Sequence, residues 1–547
     1  MTNDQTKRGQ TPFAKKGSDP LRVLVSDPLA ERGLAILQED HAIQVDVKLK
    51  LPPAELKQLI GQYDALVVRS GTQVTRDVIE AATKLKVIGR AGAGLDNVDV
   101  EAASKRGIIV MNAAGGNTIA TAEHTFALLM SVARNVPQAC ASLKGGKWDR
   151  TKYQGVELYR KTLGVVGLGR IGCEVARRAA AFGMQVIAFD PFLSPDRIRE
   201  MEVEPVALPD LLKRMDYLTV HTPLTDETRG LIGDAQFALM KKGARIVNCA
   251  RGGIIDEGAL VRAIKSGLVA GAALDVFVEE PPPAGHELLA LPQVIVTPHL
   301  GASTEEAQLS VALDIAAGVR DALLGRGIRN AVNVPSMDPE QLKLLEPYLR
   351  LIEALGLLQA QLAEGHVQEV RLRYVGELVK YDLAPLTLVF LKGLLTPSLQ
   401  ETVNYVNAAL LAKERGIKVI ESKSTQSEEF ANLLSTEIRT DAGASRVDGS
   451  CVTRRDARIV RIQEFPVEAI PSGHMVLIQT LDKPGFIGRI GTILGQHGIN
   501  IARMTFGRTK PGGEALNVFN VDGPIPADVA QALKAVPHVT AVRVIKL

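Results

Sequence analysis

Residues 162–191 read TLGVVGLGRIGCEVARRAAAFGMQVIAFDP, and this stretch decides the fold. An apolar run leads into the glycine-rich segment GLGRIG at 167–172, a helical pattern follows, and a second apolar run closes the stretch. Gly167 permits a tight turn, Gly169 lets the backbone approach a pyrophosphate, and Gly172 lets the helix and the first strand pack closely. The helix N-terminus adds amide donors and a positive dipole end. The stretch therefore predicts a strand, turn, helix and strand that bind a dinucleotide.

An acid ends the second strand of this unit. Asp190 follows the glycine-rich turn by about 20 residues, where a carboxylate can accept hydrogen bonds from a ribose hydroxyl. A carboxylate would repel the 2′-phosphate of NADP, and Pro191-Phe192 provides no arginine to bind one. The sequence therefore predicts NAD as the cofactor.

Strand-like and helix-like segments alternate on both sides of this unit. A first strand is predicted at 21–26, and strands and helices then alternate as far as a helix at 305–324. This alternation indicates parallel sheets covered by helices, so we expect an α/β protein with two Rossmann-like, doubly wound domains. After Pro335 the pattern indicates an α+β domain, and from Met475 the order βαββαβ indicates a ferredoxin-like domain. The predicted units are a disordered tail at 1–20, a first α/β domain at 21–119 plus 320–335, a dinucleotide domain at 120–319, the α+β domain at 336–473, and the ferredoxin-like domain at 474–547.

Composition argues against several classes of function. The 547 residues carry 64 basic and 61 acidic side chains, a net charge of +3, so no global field attracts nucleic acid. No segment approaches the run of about 18 apolar residues that suggests a membrane span. The four cysteines show no CxxC pair and no metal-ligand spacing, which fits a reducing cytoplasm and predicts no metal site. We therefore expect a cytoplasmic protein without a nucleic-acid or membrane partner.

Three polar residues follow predicted strands of the dinucleotide domain. Arg251 stands in NCARGGIIDEGAL, Glu280 closes ALDVFVEEPP, and His299 ends VIVTPHLGAS. The carboxyl ends of parallel strands share one edge of a sheet, where ligands bind. A histidine can remove a hydroxyl proton, a carboxylate can hold its tautomer and keep its pKa high, and an arginine can bind a substrate carboxylate. The alternative is that each is only a polar residue at the end of a strand, with His299 a core histidine.

Taken together and in this order, the segments GLGRIG, CARGGIIDEGAL, LDVFVEEPP and TPHLGAST resemble the D-isomer-specific 2-hydroxyacid dehydrogenases. The resemblance implies that Arg251, Glu280 and His299 are catalytic. It also implies contacts with the pyrophosphate, ribose, adenine and nicotinamide of the cofactor. The implied cofactor residues are Ala93, Gly167, Gly169, Arg170, Ile171, Gly172, Asp190, Thr222, Pro223, Cys249, Ala250, Arg251, Asp275, His299, Gly301 and Ala302.

Two segments of the first domain resemble those that hold the substrate in family members acting on 3-phosphoglycerate. They are VVRSGTQVT at 67–75 and GRAGAGLDNVD at 89–99. The resemblance implies that Arg69 meets an anionic group and that nearby backbone amides meet the carboxylate. The alternative for Arg69 is a surface charge at a strand end. The implied substrate residues are Arg69, Arg90, Gly92, Gly94, Asn117 and Arg134.

The segment LDKPGFIGRIGTILGQHGINI at 481–501 resembles the ACT domain, an amino-acid-binding module that pairs with a second copy. The α+β domain before it then corresponds to the intervening domain of such family members. The resemblance implies a homotetramer and L-serine as a possible effector, with Asp482 and Asn500 at positions that contact serine in some members. Thr480 stands near the position of a histidine or tyrosine in inhibited members, so an ACT pair used only for assembly is the alternative.

The whole resemblance implies NAD-dependent oxidation of 3-phospho-D-glycerate to 3-phosphooxypyruvate, the first step of L-serine biosynthesis. An alternative within the family is a reductase of glyoxylate or hydroxypyruvate, or a dehydrogenase of another D-2-hydroxy acid. A remote alternative from another class is an NAD-sensing scaffold like the C-terminal binding protein corepressors. Their tail does not resemble the two C-terminal domains predicted here.

Overall fold

The computed structural model describes residues 20–399, 402–426, 430–453 and 456–547. The predicted tail at 1–20 therefore lies outside the described residues, except for Pro20. Within the described ranges, no helix is both long enough and apolar enough to cross a lipid bilayer.

The first domain alternates strands and helices, as predicted. In chain order these are β1 (Leu21–Val25), α1 (Glu31–Gln38), β2 (Ile43–Val47), α2 (Pro53–Leu59), β3 (Ala65–Val68), α3 (Arg76–Ala81), β4 (Val87–Arg90), α4 (Val100–Lys105) and β5 (Ile109–Asn112). The strands form a five-stranded parallel sheet in the order β2-β1-β3-β4-β5. All four residues of β3 are buried, as expected of a parallel strand covered by helices on both faces.

The dinucleotide domain has the larger sheet. Its elements are α5 (Thr118–Arg134), α6 (Val136–Lys144), β6 (Thr162–Val166), α7 (Arg170–Ala181), β7 (Gln185–Phe189), α8 (Pro195–Arg199), β8 (Glu204–Pro205), α9 (Leu208–Arg214), β9 (Tyr217–Val220), α10 (Asp234–Phe237), β10 (Ala244–Asn248), α11 (Glu257–Lys265), β11 (Val269–Leu274), α12 (Glu287–Ala290) and β12 (Val294–Val296). The seven strands are parallel and lie in the order β12-β11-β10-β9-β6-β7-β8. Because β6 lies between β7 and β9, the strand order reverses beside it, which opens a crevice at the carboxyl ends of these strands.

Helix α13 (Glu305–Leu323) carries the chain back to the first domain. It packs against α1 and β4, and the side chains of Ile315 and Val319 lie directly over Gly89. The following segment then pairs with β5 through a hydrogen bond from the Val332 amide to the Val110 carbonyl. The predicted domain boundary between 319 and 320 falls inside this helix. The packing moves the boundary to the loop before Glu305, because α13 packs against α1 and against strands β3, β4 and β5 of the first domain.

The third domain combines one long helix with a mixed sheet. Its elements are α14 (Pro339–Leu362), β13 (Val367–Gly376), α15 (Ala384–Leu395), α16 (Ala408–Glu414), β14 (Lys418–Ser424), β15 (Asn432–Thr440), β16 (Gly443–Thr453), β17 (Asp456–Ile462) and β18 (Phe465–Ala469). The strand order is β14-β13-β15-β16-β17-β18, in which only β13 and β14 are parallel. Strands β16 and β18 are additional to the predicted ones. Their glycine, proline and charged residues hide the alternating pattern.

The last domain has the predicted βαββαβ order. Its elements are β19 (His474–Leu481), α17 (Phe486–Gln496), β20 (Ile501–Arg508), β21 (Glu514–Val521), α18 (Ala527–Lys534) and β22 (Val539–Lys546). The strands form an antiparallel sheet in the order β20-β21-β19-β22. Leu477, Leu516 and Val518 join a core shared with the third domain, so one face of this sheet is covered by that domain. The predicted fold class is confirmed for all four domains.

Candidate active site

A cleft of about 340 Å³ lies between the first domain and the dinucleotide domain. The first domain contributes the loop after β4, and the dinucleotide domain contributes the carboxyl ends of its strands. Thirteen of the predicted site residues line this cleft. They are Ala93, Gly94, Asn117, Ile171, Thr222, Pro223, Cys249, Ala250, Arg251, Asp275, His299, Gly301 and Ala302.

The glycine-rich turn has the geometry that a dinucleotide requires. Gly167 has a φ of +89°, and a Cβ atom on Gly172 would lie 2.2 Å from the Gly167 carbonyl oxygen. Gly169, by contrast, faces open space, because a Cβ atom there would meet no described protein atom within 4 Å. Asp190 accepts hydrogen bonds from the Leu168 amide at 2.8 Å and from the Phe192 amide at 2.9 Å. The carboxylate thus fixes the turn and keeps lone pairs for a ribose hydroxyl. Arg170 and Ile171 begin helix α7, where amides point towards the open space.

Several polar atoms beside this turn are buried without a hydrogen-bond partner among the described residues. They are Thr222 Oγ1, His221 Nδ1 and Asn117 Oδ1. Burial also lowers the pKa of His221 to about 4, so its ring is neutral at pH 7. Buried polar atoms are almost always hydrogen bonded in native proteins. A ligand with many donors and acceptors would satisfy these atoms, and NAD, with its ribose, pyrophosphate and carboxamide groups, fits the site.

Glu280 and His299 form a hydrogen-bonded pair at the cleft. His299 Nδ1 lies 2.6 Å from Glu280 Oε2, and Glu280 Oε1 accepts a hydrogen bond from the Phe277 amide at 3.1 Å. Burial alone would raise the pKa of Glu280. The hydrogen bonds from His299 and Phe277 more than offset this, so the pKa lies below its ordinary value. The carboxylate is therefore ionised at pH 7 and holds the proton on Nδ1, which leaves Nε2 of His299 to exchange a proton with a ligand.

Arg251 reaches across the cleft to the first domain. Its Nε donates to Asp96 Oδ2 at 3.0 Å, and its Nη1 donates to the Ala250 carbonyl oxygen at 2.7 Å. Its Nη2 lies over Gly94, where a Cβ atom would come within 2.0 Å of it. A side chain at position 94 would therefore displace the guanidinium from this place. Asp96 was missed in the sequence, although it lies within the quoted segment GRAGAGLDNVD.

Two further arginines of the first domain lie near Arg251. The Arg69 amide donates to Asp27 Oδ2 at 2.6 Å, so the loop that carries this residue is tied to the end of β1. Arg90 lies over Gly92, where a Cβ atom would come within 1.8 Å of its Nη1. Burial lowers the pKa of Arg90, and the positive charges of Arg251 and Arg69 lower it further. The carboxylates of Asp96 and Asp27 act on Arg90 in the opposite direction, so three guanidinium groups and two carboxylates lie near one another and leave one positive charge in balance.

Asp27 and Asn97 also shape this loop, and neither was predicted. Asp27 Oδ2 accepts a second amide hydrogen bond, from Thr72 at 3.1 Å, and Asn97 Nδ2 donates to the carbonyl oxygens of Arg69 and Thr72 at 2.6 Å each. The position of Asp27 directly after β1 was a usable signal, since the other site residues also follow strands.

The structure does not bring every predicted residue to a common site. Arg134 lies at the far end of the 17-residue helix α5 from Asn117, about 25 Å along the axis at the usual helical rise. Arg134 therefore lies far from the cleft of its own chain. In the last domain, Asp482 follows β19 and binds Arg508 at 2.7 Å, whereas Asn500 precedes β20 and binds Asp522 at 2.7 Å. These two predicted effector residues lie at opposite ends of the sheet.

Comparisons with known proteins agree with this architecture. Three family models match in succession: the NAD binding domain of D-isomer specific 2-hydroxyacid dehydrogenases at residues 126–301, the D-3-phosphoglycerate dehydrogenase intervening domain at 344–463, and the ACT domain at 474–538. NAD is thus the cofactor of the domain type that carries the glycine-rich turn.

Full-length relatives extend the match to the whole chain. D-3-phosphoglycerate dehydrogenase of Methanocaldococcus jannaschii is 48% identical over 96% of this chain and 100% of its own length. The protein of the same name from Synechocystis sp. is 44% identical over 96% of this chain and 95% of its own length. Among solved structures, a glyoxylate reductase from Paecilomyes thermophila is 31% identical, with a TM-score of 0.54 over 58% of this chain and 99% of its own. The chain belongs to the D-3-phosphoglycerate dehydrogenase family, within the D-isomer specific 2-hydroxyacid dehydrogenases.

Proposed function

We propose that the chain is an NAD-dependent dehydrogenase that oxidises 3-phospho-D-glycerate to 3-phosphooxypyruvate, the first step of L-serine biosynthesis. The observation that carries this proposal is that Arg251 lines the cleft with His299, the partner of Glu280, and that Arg90 lies close enough to Arg251 and Arg69 for both charges to lower its pKa. A simple 2-hydroxy acid presents one carboxylate, which one arginine can bind in a bidentate manner. A substrate that also carries a phosphate requires the additional positive charge.

Each catalytic side chain then has a separate task. NAD held by the glycine-rich turn and the cleft residues would supply the acceptor for the hydride that leaves C2 of the substrate. His299 takes the hydroxyl proton on Nε2, since Nδ1 is hydrogen bonded to Glu280, and the Glu280 carboxylate stabilises the imidazolium that forms. The Nη2 atom of Arg251 binds the substrate carboxylate and polarises the carbonyl that develops at C2. Arg69 and Arg90 bind the phosphate.

The test compares substrates with and without a phosphate. We expect Arg69→Ala to lower kcat/KM for 3-phosphoglycerate by roughly 10- to 100-fold, the loss of one hydrogen bond between charged groups. Its effect on glyoxylate or hydroxypyruvate reduction should be below about threefold. Arg177→Ala is the matched control, because Arg177 is an exposed arginine that pairs with Glu174 on helix α7. Wild-type protein that reduces glyoxylate but does not turn over 3-phosphoglycerate would contradict the proposal.

We also propose that the chain is a cytoplasmic homo-oligomer, a tetramer, with L-serine as a possible effector at the ACT domain. The matched ACT domain supports effector binding, and the four free cysteines fit a reducing compartment. Because Asp482 and Asn500 lie at opposite ends of one sheet, a serine site that used both would need two copies of the domain. Sedimentation velocity and an activity titration with L-serine test these points. Activity that is indifferent to serine would leave the ACT domain with an assembly role.

A further inference from the structure

The turn that carries His299 has a backbone conformation that needs support. His299 has a φ of +54°, in the left-handed region that residues other than glycine rarely adopt. Three successive amides of this turn donate to one residue: His299 to the Asp275 carbonyl oxygen at 2.9 Å, Leu300 to Asp275 Oδ1 at 2.7 Å, and Gly301 to Asp275 Oδ2 at 2.9 Å. The direction in which the imidazole points therefore depends on how Asp275 is held.

Two side chains hold the Asp275 carboxylate from behind. His124 Nε2 lies 3.1 Å and Thr297 Oγ1 lies 2.6 Å from Asp275 Oδ1. Burial would raise the pKa of Asp275, but hydrogen bonds from His124, Thr297 and the Leu300 amide bring it below its ordinary value. The carboxylate is thus ionised and can only accept hydrogen bonds, which requires His124 to carry its proton on Nε2. The same Nε2 lies 3.2 Å from Thr297 Oγ1, so its proton is shared between the two acceptors.

The two oxygens of the Asp275 carboxylate have different hydrogen-bond partners. Oδ1 accepts from His124, Thr297 and Leu300, which uses its full capacity. Oδ2 accepts only from Gly301 among these groups and so keeps a lone pair, and Asp275 is one of the residues that line the cleft. Both oxygens therefore hold the turn, and His124 contacts Oδ1 but not Oδ2, the oxygen that keeps a free lone pair.

His124 is attached to a rigid part of the fold. It lies in helix α5, whose neighbouring residues Thr121, Thr125 and Leu128 are buried against the dinucleotide domain. Thr121 Oγ1 donates to the Gly301 carbonyl oxygen at 3.1 Å, one helical turn before His124. The helix thus contacts the turn that carries His299 directly at Gly301 and indirectly through Asp275.

We propose that His124 is a positioning residue for the dehydrogenase reaction, which holds the His299–Gly301 turn in its catalytic orientation through Asp275 Oδ1. The inference rests on the proposed function insofar as His299 is the group that exchanges the proton. A metal site made of His124, Cys249 and Asp275, whose ligand atoms lie within 4.8 Å of one another, is a weaker explanation. Hydrogen bonds already fill Asp275 Oδ1, and burial raises the pKa of the Cys249 thiol to about 12, so the thiolate that a metal would bind is disfavoured.

The test compares two amide side chains of different length. In His124→Gln the amide nitrogen can occupy the place of Nε2 and donate to Asp275, whereas in His124→Asn it reaches only the place of Nδ1. We expect His124→Asn to lower kcat by up to about 10²-fold, the cost of misplacing a reacting group by about 1 Å. The KM for NAD and the Kd for NADH should change by less than about threefold. The kcat of His124→Gln should be at least about tenfold higher than that of His124→Asn.

A structural role alone predicts a different result. If His124 only stabilised the fold, both variants would lose Tm and NADH affinity together, and the Gln variant would restore no kcat at equal Tm. Equal kcat in the Asn variant and the wild type would also overturn the inference. The comparison is made on whichever 2-hydroxy or 2-oxo acid the wild-type protein turns over. A wild type that is inactive on 3-phosphoglycerate but active on glyoxylate would thus refute the proposed substrate and still test His124.

Discussion

Glu280→Gln should inactivate the protein more severely than Glu280→Ala, because the surrounding hydrogen bonds dictate how the amide sits. The Phe277 amide donates to Glu280 Oε1 at 3.1 Å, so an oxygen must remain at that position. The amide nitrogen of the variant then faces His299 Nδ1, 2.6 Å from the place of Glu280 Oε2. It can only donate to Nδ1, which forces the ring proton onto Nε2. A neutral imidazole protonated at Nε2 cannot accept the substrate's hydroxyl proton.

The expected magnitudes separate the two variants. Glu280→Ala removes one charged hydrogen bond, about 1.5–3 kcal/mol, which corresponds to a loss of roughly 10- to 100-fold in kcat/KM. Glu280→Gln adds a trapped tautomer, which in a serine-protease triad costs about 10⁴-fold. Both directions of the reaction should lose the same factor in kcat/KM, since the equilibrium constant does not change.

NADH absorbance measures both directions of the reaction for the wild type and the two variants. NADH binding and Tm serve as controls, since neither depends on which nitrogen of His299 carries the proton. A Glu280→Gln variant as active as Glu280→Ala would refute the reasoning. It would mean that Glu280 contributes charge alone and does not select the tautomer.

Three further outcomes follow from the geometry. Gly169→Ala should fold normally and bind NADH more weakly. Gly172→Ala should bind NADH more weakly and also have a lower Tm, because the new Cβ atom would lie 2.2 Å from the Gly167 carbonyl oxygen. Fluorescence titration of NADH and thermal melting distinguish the two variants. Asp96→Ala should lower kcat/KM by up to about fivefold, mainly through KM, because an exposed ion pair that fixes Arg251 is lost; a steady-state rate series measures this. The pKa of His221 lies near 4 when folded and near 6.5 when unfolded, so the unfolded chain binds more protons between these values. Tm should therefore fall as the pH drops from 6.5 to 4, and fall less in His221→Gln.

The predicted elements match the structure best where apolar residues recur at regular spacing or a recognisable motif is present. The glycine-rich turn, the alternating strands and helices of both α/β domains and the βαββαβ order of the last domain were all expected, and the structure contains them. The boundary at 319/320 was misplaced, because an apolar face in helix α13 shows that the helix packs but not which sheet it covers.

The position of the effector residues could have been corrected from the predicted order alone. In a βαββαβ domain the first two strands run parallel, and β19 and β20 are both antiparallel to β21. The end of one parallel strand and the start of the next lie at opposite edges of a sheet. Asp482 and Asn500 stand at those two places, so the strand order alone implies that they lie far apart in one copy of the domain.

The candidate site shows where prediction from sequence stops. Arg251, Glu280 and His299 could be expected to meet because each follows a strand of one parallel sheet, and topology alone brings strand ends together. His124 and Thr297 reach Asp275 across 151 and 22 residues of sequence, and no spacing rule connects a residue inside a helix with a strand end so far away. Residues that exchange protons with a ligand are thus predictable from the fold, whereas those that orient them depend on side-chain packing and emerge only from coordinates. The Glu280 variants therefore test a proton transfer, whereas the His124 variants test whether His299 is correctly oriented.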